Sequence, residues 1–215
     1  LFYSVNNDNA GNSAVTYTPL VQQCFFANSA TIMSKAAEVL GKSNDAAYYA
    51  DVARKAREAF CQNYLTPAGM LVSSTQTAYV LALNFDMLPE NMRAKAAAHL
   101  AANVEKYGHI TTGFLGTPYI CHVLTESGYN DLAYKLLLRE QYPGWLYPVT
   151  MGATTIWERW NSMMPDRTIP DNGMNSFNHY SYGAIGDWLY RDAVGLHETS
   201  AGFKTMAIKP HPGAD

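Results

Sequence analysis

T-A-Y-V-L-A-L-N-F (Thr77–Phe85), then Pro89, then E-N-M-R-A-K-A-A-A-H-L-A-A-N-V-E-K (Glu90–Lys106), is the stretch that decides the fold. The first part is apolar almost all round. That predicts a helix over 75–87 buried on every side. Pro89 suits a helix start, where its missing N–H costs nothing. The helix it opens, 89–106, is rich in alanine but carries Arg93, Lys95 and Glu105, which predicts a half-solvated outer helix. One hairpin thus has an inner and an outer member.

The same alternation extends in both directions. Upstream, Pro19 opens a helix over 20–40 that Gly41 ends, and Asn44 or Asp45 caps a second, running to Tyr64. Its apolar positions Tyr49, Val52, Ala53, Ala56 and Phe60 keep helical spacing. Downstream, 117–127 is apolar and ended by Gly128, and 130–141 carries Asp131, Lys135, Arg139 and Glu140. Apolar and half-polar helices in pairs, repeating at roughly 40–50 residues, are the mark of stacked helical hairpins, in a solenoid or a closed α/α toroid.

Composition fits a large helical core. Of the 215 residues 48% are hydrophobic and only 15% charged, and the net charge of −3 comes without any Lys/Arg cluster. Nucleic acid and anionic membrane are therefore not expected partners. Cys24, Cys61 and Cys121 are widely spaced and odd in number, so they read as buried thiols on helices. The six histidines form no HExxH or H-x-H pair, so neither metal nor other cofactor is expected.

The hairpin pattern stops at Tyr142. Y-P-G-W-L-Y-P-V (Tyr142–Val149) has two prolines and three aromatics, and 142–161 reads as irregular or extended. Residues 1–18 read as a polar loop, and Ser162–Phe177 as a long loop; a loop of that length in a small domain is usually functional or disordered. A seventh helix is expected over Asn178–Asp192, with His179 in its first turn. G-F-K-T-M-A-I-K-P (Gly202–Pro210) alternates with period two and predicts one strand, whose partner is expected elsewhere, beyond Asp215.

Chemistry concentrates in G-A-T-T-I-W-E-R-W-N (Gly152–Asn161). Glu158 stands between Trp157 and Trp160, with Arg159 beside it. A carboxylate among aromatics suits a catalytic acid or base in a partly dry cleft, and an indole face suits the apolar face of a sugar. The plainer reading is a surface ion pair, Glu158 with Arg159, flanked by core tryptophans.

G-A-T-T-I-W-E-R-W-N-S followed by G-M-N-S-F-N-H-Y-S-Y-G-A-I-G-D-W-L-Y closely resembles the bacterial α-L-rhamnosidases of glycoside hydrolase family seventy-eight. H-I-T-T-G-F-L-G-T-P-Y-I, Y-P-G-W-L-Y-P-V and G-F-K-T-M-A-I-K-P match that family in the same order, over about 20–210. The resemblance implies an all-α fold, part of an (α/α)6 barrel over 1–198. The terminal β-strand, in 199–215, would begin a C-terminal β-sandwich. It implies hydrolysis of terminal α-L-rhamnosyl groups with inversion, Glu158 acting as general base. It places His179 against the sugar hydroxyls, one of Trp157 and Trp160 against the sugar and the other in the core, and Trp145, Phe114 and His109 at the barrel mouth.

An inverting glycosidase also needs a general acid. The family's acid lies in an acidic segment upstream of the first helix here. Asp166 and Asp171 lie in the long loop without aromatic shielding, and Asp187 and Asp192 read as ion-pair or capping residues. The isolated chain is therefore expected to hold the base half of a site, to be inactive, and to expose apolar helix faces. Its expected partners are a rhamnosylated glycoside or polysaccharide, the N-terminal part of the same protein, and a second copy of itself. Two alternatives remain: another α/α-toroid glycosidase acting on glucosides or uronides, for which only Arg159 and Arg167 stand near the motif, and a non-catalytic helical-repeat module that binds carbohydrate or protein.

Overall fold

Pro19 lies in the first turn of α1 (Thr18–Val39), as its fixed φ favours. The computed structural model describes residues 16–170 and 174–213; most of the expected N-terminal loop and Asp171 lie outside them. α1 buries Leu20, Cys24, Ala27, Ala30 and Ala37. Gly41, at φ +69°, turns the chain so that the Lys42 N–H reaches the Ala37 carbonyl at 2.8 Å. α2 (Ser43–Tyr64) then packs back on α1 through Ala53, Ala56 and Phe60. Its exposed Arg54 bridges Asp51 and Glu58 at 2.5 and 2.6 Å, contacts that add little beyond local helix support.

α3 (Gln76–Asn84) is shorter than its sequence suggests. It is buried from Gln76 to Leu83, as an inner helix should be. The Thr75 side chain accepts the Ala78 N–H at 3.2 Å and so starts it. α4 (Glu90–Tyr107) buries Ala96, Ala97, Leu100, Ala101 and Val104 along one side and leaves the other to water. Tyr79 of α3 stacks on His99 of α4 with centroids 5.9 Å apart, and Arg93 donates to the Leu83 carbonyl. These contacts make the second hairpin.

The chain divides within α4 into two units, Val15–Leu100 and Ala101–Asp215, each taken over its described residues. In the second unit, α5 (Thr117–Glu126) buries Thr117, Ile120, Cys121, Val123 and Leu124, and α6 (Asn130–Leu137) packs on it through Ala133 and Leu136. α6 stops at Leu137, four residues short of the expected Gln141. A five-residue helix, α7 (Leu146–Thr150), lies in the segment expected to be irregular. Its Pro148 is tolerated because it falls in the first turn.

The expected seventh helix starts late and changes form. A 3-10 turn over Ser181–Ala184 leads into α8 (Ile185–Trp188), which widens into a π turn over Leu189–Ala193. His179 therefore precedes the helix instead of lying in its first turn. β1 (Leu196–Glu198) pairs antiparallel with β2 (Met206–Ile208). The strand expected at Gly202–Pro210 thus finds its partner ten residues upstream, not beyond Asp215, and Ala201–Phe203 is a 3-10 turn. Gly195 fits at φ +76° beside the Lys209 carbonyl, where a Cβ would lie 2.0 Å from it. Among the described residues no helix is long and apolar enough to cross a membrane. Apolar side chains do remain on the surface of α1, with Phe26 58% and Val39 87% exposed.

Candidate active site

Glu158 is buried, 4% exposed, as are Trp157, Arg159 and Trp160 beside it. That burial overturns the reading of Glu158 and Arg159 as a surface ion pair. The segment gets its shape from the far side of the long loop. The Glu158 N–H donates to the Ser176 carbonyl at 2.9 Å, the His179 N–H to the Ile156 carbonyl at 2.8 Å, and the Thr155 hydroxyl to the Phe177 carbonyl. These bonds tie the irregular segments 155–158 and 176–179 to each other, so Glu158 and His179 lie on neighbouring stretches of chain.

Hydrogen bonds join Ser162 and Asn175 across the root of the long loop. Ser162 Oγ donates to Asn175 Oδ1 at 2.6 Å, and Asn175 Nδ2 donates to the Ser162 carbonyl at 3.1 Å. Ser162 Oγ also accepts the Arg159 N–H at 3.2 Å. Among the described residues nothing donates a hydrogen bond to the Glu158 carboxylate or pairs with it.

Aromatic rings build the wall behind it. Trp160 lies flat on Tyr182, centroids 3.8 Å apart and planes 10° apart, and meets Trp145 edge-on at 5.3 Å. Trp145 Nε1 donates to the Tyr182 carbonyl at 2.9 Å. Trp145 and Trp160 are thus locked into the packing. Trp157 meets Phe177 edge-on at 5.3 Å, on the loop side. Phe114 stacks on His179 at 5.0 Å and also touches Tyr182. His179 Nδ1 accepts the Ser181 N–H at 3.3 Å. That bond assigns the ring proton to Nε2, so Nε2 is the nitrogen free to donate. His109 makes its described contacts with its neighbours, Ile110 and Tyr107.

Asp166, Asp187 and Asp192 are committed elsewhere. Asp166 Oδ1 accepts both the hydroxyl and the N–H of Thr168, at 2.6 and 2.9 Å, and these bonds hold its pKa below the usual range. Asp192 lies 2.6 Å and Asp187 3.2 Å from the two ring nitrogens of His122. Among the described residues no three His, Cys, Asp or Glu side chains converge as metal ligands. Ser176, Phe177, Tyr180 and Tyr182 shape the site but did not stand out in the sequence, because their part depends on pairing across the loop.

Comparisons with known proteins give the family. The family model described as the bacterial alpha-L-rhamnosidase 6 hairpin glycosidase domain matches residues 3–193. An alpha-L-rhamnosidase of Formosa agariphila is 44% identical over 210 residues, covering 96% of this chain and 23% of that protein. The crystal structure of the Streptomyces avermitilis alpha-L-rhamnosidase complexed with L-rhamnose superposes with a TM-score of 0.89 at 41% identity, over 96% of this chain and 20% of that one. The alfa-L-rhamnosidase of Aspergillus terreus gives a TM-score of 0.89 at 32% identity, over 97% and 24%. The chain therefore spans about a fifth of the length of these relatives. The helical hairpins, the buried W-E-R-W segment and these matches together show that the chain belongs to the six-hairpin glycosidase domain family of the bacterial alpha-L-rhamnosidases.

Proposed function

We propose that the whole protein carrying this chain is a glycoside hydrolase that releases terminal α-L-rhamnosyl groups with inversion, and that Glu158 is its general base. One observation supports this most: Glu158 is a buried carboxylate with no donor among the described residues, beside a histidine whose Nε2–H is free. In an inverting reaction such a carboxylate removes a proton from water on one face of the sugar while a carboxylic acid protonates the leaving oxygen on the other. The two carboxyl groups stand about 6.5–9.5 Å apart to admit that water. His179 Nε2–H would donate to a sugar hydroxyl and orient the ring.

None of Asp166, Asp187 and Asp192 suits the acid role. Asp166 is held low by Thr168, and Asp187 and Asp192 face His122. A general acid should instead stay protonated near neutral pH. The isolated chain should therefore turn over little or nothing, and Ala101–Asp215 should contribute the base side of the site in the whole protein. The segment 199–215 would lead into a C-terminal β-sandwich. A rhamnosylated glycoside or polysaccharide would be the substrate.

Proton NMR during hydrolysis of an aryl α-L-rhamnoside by the full-length protein tests the stereochemistry. The first-formed rhamnose should be the β anomer. Initial α anomer would retire the inverting assignment, and release of another sugar only would retire the substrate while leaving the fold.

A further inference from the structure

Glu158 sits on a backbone that is pinned on both sides of its Cα. Its own N–H donates to the Ser176 carbonyl at 2.9 Å. The next N–H, that of Arg159, donates to Ser162 Oγ at 3.2 Å. Each peptide unit is planar, so the chain turns at Glu158 only about φ and ψ. Holding the peptide on either side of the Cα restrains both angles, and with them the direction of the Cα–Cβ bond.

The second anchor is itself held. Asn175 Nδ2 donates to the Ser162 carbonyl at 3.1 Å, which turns Asn175 Oδ1 toward Ser162 Oγ at 2.6 Å. An amide oxygen only accepts, so the hydroxyl proton of Ser162 lies on that bond and an oxygen lone pair is left for the Arg159 N–H. The Arg159 carbonyl in turn accepts the Ser162 N–H at 3.2 Å. The two anchors of Glu158 thus end on consecutive residues, at Asn175 through Ser162 and at Ser176 directly. Glu158 and Arg159 are 4% exposed and Ser162 is fully buried. These bonds lie inside the fold, beneath whatever the whole protein packs against it.

We infer that Ser162, with Asn175 behind it, is a positioning residue that aims the Glu158 carboxylate at the attacking water. This rests on the reading of Glu158 as general base. A misplacement of about 1 Å at a reacting group costs on the order of 10²-fold in rate, so a base needs its backbone fixed as well as its side chain. The described bonds of Ser162 Oγ go to Arg159 and Asn175. Ser162 therefore acts on the reaction through Glu158 and not on the sugar.

The test is a double-mutant cycle in kcat on an aryl α-L-rhamnoside, run in the full-length protein with Glu158→Gln as the second change. A residue that acts through Glu158 has nothing to aim once the base is gone. A residue that only supports the fold lowers kcat by the same factor in both backgrounds. Ser162→Ala alone should lower kcat roughly 10- to 100-fold, with KM within about 3-fold. Added to Glu158→Gln, it should lower kcat by less than about 2-fold further. Equal factors in the two backgrounds, or a kcat for Ser162→Ala within about 2-fold of the unsubstituted protein, would overturn the positioning role. Ser162→Ala leaves a buried N–H and an amide oxygen without partners, so unfolding midpoints are measured alongside. If that variant does not fold, Asn175→Ala, which removes the partner behind Ser162, enters the same cycle under the same criteria, with a loss of roughly 3- to 10-fold expected. If Glu158→Gln itself leaves turnover intact, the general-base reading fails and the positioning role falls with it. That result is distinct from a large loss in Glu158→Gln beside an indifferent or additive Ser162→Ala.

Discussion

Phe114 and His179 stack ring on ring, 5.0 Å apart and 18° from parallel, joining the loop before α5 to the segment that returns from the long loop. The contact fixes one face of His179, and the Ser181 N–H fixes its Nδ1. These two contacts restrain the ring and leave Nε2 to face elsewhere. Phe114→Leu keeps most of the volume and removes the ring. Its stability cost should stay under about 1.5 kcal/mol, while binding of L-rhamnose to the full-length protein weakens roughly 3- to 10-fold. Titration calorimetry would check the affinity; an unchanged value would show that the stack does not orient the histidine.

His122 holds the end of the helical run against α5. One ring nitrogen faces Asp192 at 2.6 Å and the other Asp187 at 3.2 Å, while Asp187 also accepts from Arg191 at 2.9 Å. Asp192 is 5% exposed. His122→Ala leaves that buried carboxylate unanswered and should cost about 3 kcal/mol. Asp187 is 59% exposed on its side chain, so Asp187→Asn should cost less than about 1 kcal/mol. Urea midpoints of the two variants would show the contrast, and equal losses would contradict it.

Burial pushes the Cys24 thiol up to about 12. Cys121 is raised as well, by burial first and then by the negative charge of Asp192. An unfolded thiol ionises near pH 8.5. The folded state therefore holds these protons longer than the unfolded state does. The stability this represents is complete below about pH 8.5, falls as pH rises above it, and for Cys24 is lost by about pH 12, at about 1.4 kcal/mol per pH unit per thiol. Denaturant midpoints between pH 8 and 11 should fall less steeply in Cys24→Ala. Equal slopes would show that the thiol ionises as readily folded as unfolded.

The hairpin helices were legible because their signals are local. Pro19 marks a start, Gly41 and Gly128 mark ends, and the spacing of Ala53, Ala56 and Phe60 marks a face. The last helical run was harder. Gly183 and Gly186 weaken regular helix, and the run passes through 3-10, α and π forms, so it begins at Ser181 and not at Asn178. β1 is three residues long, too short to show alternation, which is why β2 seemed to lack a partner. α7 hid behind Pro148. Glu158 stood out as a carboxylate between indoles, but its tie to Ser176 joins segments separated by a long loop and has no local signature. The same holds for the ring contact of Phe114 with His179, which only the folded chain assembles.

The measurement closest to the central claim is turnover of an aryl α-L-rhamnoside by the full-length protein, unsubstituted against Glu158→Gln. Glutamine keeps the shape of the side chain and cannot take the proton. With Glu158 as base, kcat should fall by roughly 10²- to 10⁴-fold while L-rhamnose still binds. Turnover within a few-fold of the unsubstituted protein would contradict that role and return Glu158 to the core that surrounds it.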